Sequence, residues 1–221
     1  MRTSITSLGL LAGTLLFAPM AARADGPGDF SYAWNDARYE TGVGISATLG
    51  GGIAGFTDQA MRDTMSASAG GAWDLHVTLG SHTPLAVELG YVGTAGTINA
   101  LSGAQSGTLV GTTAEGALRY NALPHHAWNP YAFAGIGWQR YDITGDDTFT
   151  LSDTGMNSSD DSVVFPMGLG VGYRGVSGLV LDLRGTFRAN TNQGLVLKDI
   201  GSNEYVPMHT WEASAAVGLE F

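Results

Sequence analysis

Residues 179–188 read Leu-Val-Leu-Asp-Leu-Arg-Gly-Thr-Phe-Arg. Leu179, Leu181, Leu183 and Phe187 fall at every second place, with Val180, Asp182, Arg184, Thr186 and Arg188 between them. Successive side chains of an extended chain point to opposite faces, so this spacing specifies a strand with one apolar and one polar face.

The same period recurs in both directions from that stretch. Residues 42–53 set Val43, Ile45, Ala47, Leu49 and Ile53 against Gly44, Ser46, Thr48, Gly50 and Gly52. Residues 72–80 set Trp73, Leu75, Val77 and Leu79 against Asp74, His76 and Thr78. Residues 85–92 set Leu85, Val87, Leu89 and Tyr91 against Glu88 and Gly90. In 109–120, Val110, Thr112, Ala114, Leu118 and Tyr120 oppose Gly111, Thr113, Glu115 and Arg119. In 163–173, Phe165, Met167, Leu169, Val171 and Tyr173 oppose Pro166, Gly168, Gly170 and Gly172. In 209–221, Trp211, Ala213, Ala215, Val217, Leu219 and Phe221 oppose Glu212, Ser214, Gly218 and Glu220. Residues 130–141 are less clean. Ala132, Ala134, Ile136 and Trp138 make one apolar face, the opposite register led by Tyr131 and Phe133 is nearly as good, and a bulge would mix the two.

Eight strands result, most near the 9–11 residues that a tilted membrane strand needs. Their connections alternate: 54–71, 93–108, 142–162 and 189–208 are long, 81–84 and 174–178 are short, and 121–129 is intermediate. Hairpins open about every 45 residues. A propeller blade has a similar period but requires four strands, and here there are two. The expected fold is an all-β, eight-stranded antiparallel up-and-down barrel with both chain ends on its short-turn side.

Alternation does not say which face points inward. A soluble barrel or sandwich buries its apolar face, and a membrane barrel turns it to lipid. Three properties favour the second. Only 14% of residues are charged, against roughly 25% in soluble domains, and 33 are Gly. The polar face is rich in Gly and poor in Lys, which suits a crowded lumen, and its charges have both signs: Asp74, Glu88, Glu115, Arg119, Asp182, Arg184 and Glu212. Inside a narrow barrel these must pair, because an isolated buried charge is costly. Aromatic residues gather at both ends of the spans, with Trp73, Tyr91, Trp138, Phe165, Phe187 and Trp211 toward the long loops and Tyr120, Tyr131, Tyr173 and Phe221 toward the short turns. Such girdles mark the water–lipid boundary.

The first residues read as a secretory signal, with Arg2, an apolar stretch from Leu8 to Met20, and a small-x-small site at Ala22-Arg23-Ala24. The expected organisation is a signal peptide over 1–24, a periplasmic lead-in over 25–38 and the barrel over 39–221. Removal of Arg2 and Arg23 leaves eight bases against twenty acids, a net charge of −12. That balance argues against nucleic acid as a partner. No Cys is present, so disulfides, thiol nucleophiles and thiolate metal sites are excluded.

Residues Trp211, Val217, Leu219 and Phe221, at the end of the last strand, resemble the final strand of the outer-membrane β-barrel superfamily, especially its small OmpA-like and OmpX-like members. Asn129-Pro130-Tyr131 followed by Ala134-Gly135-Ile136-Gly137 resembles a recurring strand of these proteins. The resemblance covers 39–221 and is one of pattern more than of motif. It implies export to the bacterial outer membrane and reading of Trp211, Val217, Leu219 and Phe221 by the barrel-assembly machinery. It also implies a monomer in outer-membrane lipid and lipopolysaccharide. No peptidoglycan-binding domain is expected after Phe221.

Chemistry has few candidates. The lipid A deacylases among small barrels place a nucleophile two residues after a His, and the five His here are followed at that place by Thr78, Pro84, Ala127, Trp128 and Trp211. His209 with Glu212 is the pair left to inspect. His125 and His126 in a turn beside Trp128 offer a weak metal contact. Loop 142–162 carries Asp142, Asp146, Asp147, Asp153, Asp160 and Asp161 without an EF-hand spacing, which leaves cation binding open. Gly50-Gly51-Gly52 and Gly168-x-Gly170-x-Gly172 lack the strand–loop–helix setting of a phosphate loop. The expectation is a non-enzymatic, cofactor-free barrel with a structural or surface-interaction role and four displayed loops. A narrow conduit, a lipid-active barrel and a soluble barrel for an apolar ligand are the alternatives.

Overall fold

The computed structural model describes residues 43–59, 69–99, 106–144, 158–191, 194–195 and 207–221. The expected signal peptide and lead-in, and most of the acidic loop, lie outside them. Eight strands run in order: β1 (Ile45–Phe56), β2 (Gly70–Leu79), β3 (Leu85–Asn99), β4 (Ser106–Asn121), β5 (Trp128–Thr144), β6 (Ser159–Arg174), β7 (Leu179–Thr191) and β8 (Thr210–Glu220). Each pairs with its sequence neighbours, and β1 closes on β8 to complete a barrel. The seam runs antiparallel from Ser46 opposite Glu220 to Phe56 opposite Thr210. Among the described residues no helix is long and apolar enough to cross a membrane.

The barrel is apolar outside and polar inside. Leu169, Leu183 and Leu89 are 69%, 62% and 56% exposed, whereas Asp74, Glu88 and Glu212 are 1%, 2% and 3% exposed. Such a surface is stable only where the surroundings are themselves apolar.

Two sequence-based expectations are corrected, and the register left open for the fifth strand is settled on the face chosen for it. The loop expected at 93–108 shrinks to 100–105, because β3 and β4 stay paired as far as Asn99 opposite Ser106. Thr94, Thr97 and Thr108 favour extended backbone, but above the apolar belt both faces are polar and the period-two signal disappears. In the fifth strand, β5 keeps one register, with Tyr131, Phe133, Gln139 and Tyr141 inward and Ala134, Ile136 and Trp138 outward. Its ladder with β6 skips the positions beside Pro166, which has no N–H, and resumes unshifted at Gly137 opposite Val164. There is no bulge. The second correction is that Tyr131 is 3% exposed inside the lumen and takes no place in a girdle. Trp128 occupies that rim, its ring tilted by 50° against Tyr173 with centroids 4.8 Å apart.

The short turns are tight. Gly80, at φ +91°, lets the chain reverse after β2, and the N–H groups of Gly80 and Ser81 both donate to Gly44 O, at 2.8 and 3.1 Å. A side chain with a Cβ would strain at that φ.

Candidate functional site: a sealed, charged lumen

Inward-facing side chains fill the barrel in layers, and glycines opposite them make the room. A Cβ at Gly170 would lie 2.3 Å from the Tyr131 ring, and one at Gly90 would lie 2.8 Å from His76 Nδ1. The glycines of the polar face are therefore the complement of its large residues.

In the middle layer Glu88 is the hub. Arg184 grips it with two hydrogen bonds, Nη1 to Oε1 and Nη2 to Oε2, both 2.7 Å. Arg119 Nη1 donates to the same carboxylate at 3.2 Å, Thr78 Oγ1 donates at 3.3 Å, and His76 Nδ1 lies 3.5 Å away. Tyr131 ties in Asp182, donating to its Oδ1 at 2.6 Å and accepting from Arg184 Nε at 3.2 Å. The Arg119 guanidinium lies 3.4 Å from the centroid of the Tyr131 ring. Pairing of this density repays desolvation that a lone charge could not.

The next layer toward the loops centres on Arg188. Its Nε and Nη2 donate to Glu115 at 2.8 and 3.1 Å, and its Nη1 donates to Glu212 at 2.6 Å. Asp74 sits nearby, 3.7 Å from His76 Nε2. Beyond this layer Leu109, Tyr141, Val164, Leu195 and Met208 are buried at the loop end, the last three of them completely. Gly194 N–H donates to Asp160 Oδ2 at 2.8 Å, which docks the chain beside Leu195 onto β6.

At the short-turn end Glu220 is a latch. Its carboxylate accepts from the Ser81 hydroxyl, lies 3.0 Å from His82 Nε2 and lies 3.4 Å from Arg174 Nε. Arg174 also donates to Pro124 O at 2.6 Å and to Ser81 O. Gly44 admits the His82 ring, whose Cδ2 would be 2.3 Å from a Cβ there. Two strands, β6 and β8, and two turns thus meet across the mouth.

The seven charged residues expected on the polar face all lie in the lumen, and six of them, Glu88, Glu115, Arg119, Asp182, Arg184 and Glu212, join ion pairs with one another or with Arg188 in the first two layers. Sequence reasoning left out Arg188, His76, Tyr131 and the Glu220 latch. Arg188 was legible by parity, two places beyond Thr186. Its partners on β4 and β8 were not. His209 and Glu212 do not form a pair. The His209 ring lies 6.1 Å from the outward Phe187, and Glu212 is held inside by Arg188. His125 and His126 are exposed in the turn after β4. Among the described residues no three His, Asp or Glu are grouped to hold a metal. Asp142 and Asp161 flank Arg140 on the outer wall, at 3.1 and 3.6 Å. Trp211, Val217, Leu219 and Phe221 line up on the outward face of the last strand and its end.

No family model and no curated protein matches the sequence. Solved structures do match in fold. Neisserial surface protein A (NspA) aligns over 81% of this chain and 97% of its own, with 16% identity and a TM-score of 0.52. Ail, the attachment invasion locus protein of Yersinia pestis, solved with the heparin analogue sucrose octasulfate, aligns over 81% and 99%, with 10% identity and a TM-score of 0.52. A major outer membrane protein of Thermus thermophilus aligns over 81% and 99%, with 12% identity and a TM-score of 0.54.

Proposed function

From the premise that this chain has the fold of the small eight-stranded outer-membrane barrels, we propose that it is an outer-membrane protein that anchors and displays surface loops, and not an enzyme or a pore. The observation that carries this reading is occlusion of the lumen at three levels: the Glu220 latch, the Glu88–Arg184–Tyr131–Arg119 layer and the buried cap around Val164, Leu195 and Met208. A conduit needs a continuous water column, and each level replaces water with paired or apolar side chains.

In this reading residues 1–24 are a cleaved signal peptide, the short turns face the periplasm and the long loops face outward. The strand ending in Phe221 is read by the assembly machinery, and the barrel works as a monomer among outer-membrane lipid and lipopolysaccharide. Polyanions of the kind bound by the Yersinia protein do not suit the loop side here, where Asp142, Asp160 and Asp161 lie beside the single base Arg140 among the described residues. A cationic surface partner is the better match. The test is electrical. Purified protein in planar bilayers should show no stable open level, and loaded liposomes should not swell in small sugars. A steady conductance step, removed by a bulky substitution at Gly170, would establish a conduit instead.

A further inference from the structure

Strand β2 ends at Gly70, while β1 runs on to Phe56 and β3 to Asn99. The last rungs are Ala54 opposite Gly70 and Gly71 opposite Ala95, so beyond them no described strand stands between β1 and β3. A cavity of about 40 Å³ lies at this notch. Its lining joins Gly71, Ala95 and Thr97, exposed on the outer face, to Gln139, Tyr141 and Arg188 in the lumen, so it passes through the wall. We propose that it is a side pocket for the neutral, oxygen-bearing head of a small lipophile, a ketone or alcohol whose alkyl tail stays in the bilayer.

The mouth opens where such a molecule collects. Trp73, two places from Gly71 on β2, packs on Tyr91 of β3 on the outer face, with ring centroids 5.4 Å apart. Rings of this kind sit at the water–lipid boundary, where an amphiphile places its polar end. Gly71 leaves the entrance clear, since a Cβ there would meet nothing within 4 Å. The inference rests on the reading of the outer wall as lipid-facing.

The interior selects the head. Leu109 and the rings of Phe56 and Tyr141, with centroids 6.2 Å apart, give it an apolar wall. Arg188, 3% exposed, forms the floor. Of its five N–H groups three donate to Glu115 and Glu212, which leaves two without a partner among the described residues. A buried donor without an acceptor is costly, so an acceptor oxygen is favoured there. Two carboxylates already share the guanidinium charge, which disfavours an anion, and the described lining holds no carboxylate for a cation. A neutral carbonyl or hydroxyl oxygen satisfies both conditions. One water needs roughly 10–15 Å³, so the space suits a head of a few non-hydrogen atoms. The ion-paired floor closes the pocket toward the middle layer, so it binds and does not conduct.

The test uses the refolded full barrel in detergent micelles, titrated with 2-heptanone and separately with heptane, followed by NMR. Saturable shifts of the Arg188 guanidinium protons and the Gln139 side-chain amide are expected with the ketone and not with the hydrocarbon. Gly71→Phe has open space for its ring and should cover the mouth, weakening binding at least tenfold. Leu109→Phe fills the pocket from within and should do likewise. Equal responses to ketone and hydrocarbon, no saturable response, or unchanged affinity in every variant that refolds would overturn the proposal. Tighter binding of sodium heptanoate than of the ketone would overturn the neutral head. Conductance does not enter this experiment, so a barrel that neither binds nor conducts loses this proposal and keeps the sealed-anchor reading.

Discussion

Glu88 shows how much one side chain carries when it is buried at a hub. It takes charge-assisted hydrogen bonds from two arginines that sit on β4 and β7, and it is 2% exposed. Truncation would leave Arg184 and Arg119 with Asp182 as their remaining carboxylate partner, at 3.8 and 4.0 Å. Breaking a buried pair from one side costs about 3–5 kcal/mol. Glu88→Ala should therefore lower the unfolding free energy in urea by about that much, and Glu88→Gln, which keeps acceptor and shape, by less. Equal stability of Glu88→Ala and the parent would show that the lumen is hydrated enough to solvate the freed arginines. Parity placed Glu88, Arg119 and Arg184 on one face from the sequence. It could not show that Glu88 has two arginines and that Asp182 has Tyr131, because those partners are 31 to 96 residues away in the chain.

At the scale of the element, β8 closes the barrel twice. Backbone pairing joins it to β1 and β7, and the Glu220 side chain then reaches over β1 to the β2–β3 turn and over β7 to Arg174 on β6. The side chain thus links strands that share no ladder with β8. Hydrogen bonds to a charged group contribute about 1.5–3 kcal/mol each way they are measured. Glu220→Gln should lower the temperature at which the compact folded band is lost on a gel, and Arg174→Met in the same background should restore part of the loss, since it removes the orphaned charge. A transition temperature unmoved by Glu220→Gln would show that the seam is held by backbone pairing alone.

Across the whole molecule the wall is uneven. Strands β3 to β6 have 15 to 17 residues, while β1, β2, β7 and β8 have 10 to 13. A tilted span uses about 9–11, so one side of the barrel stands clear of the bilayer on its loop end. Ile143 N–H donates to Ser158 O at 2.8 Å at the top of that wall. The chain has no native Cys, so single thiols report position cleanly. A maleimide that does not cross membranes should label Ser158→Cys on intact cells and His126→Cys only after permeabilisation. The reverse pattern would invert the topology.

By itself the sequence determined the strands and their faces. Alternation is a local property of extended backbone, so Leu181 and Asp182 divide to opposite sides wherever the strand is placed. The alternation of loop lengths made antiparallel neighbours the economical path and an even-stranded barrel the result. The side on which Tyr131 lies was decided only in three dimensions. Between Ala132, Ala134 and Gly135 an aromatic ring suits lipid or lumen equally, and the Arg119 guanidinium stacked on it settles the choice. The pairing and burial that fill the lumen were likewise tertiary. Val164, Leu195, Met208 and the Glu220 latch come from distant segments, and whether they meet depends on strand register and barrel diameter, which no local pattern contains.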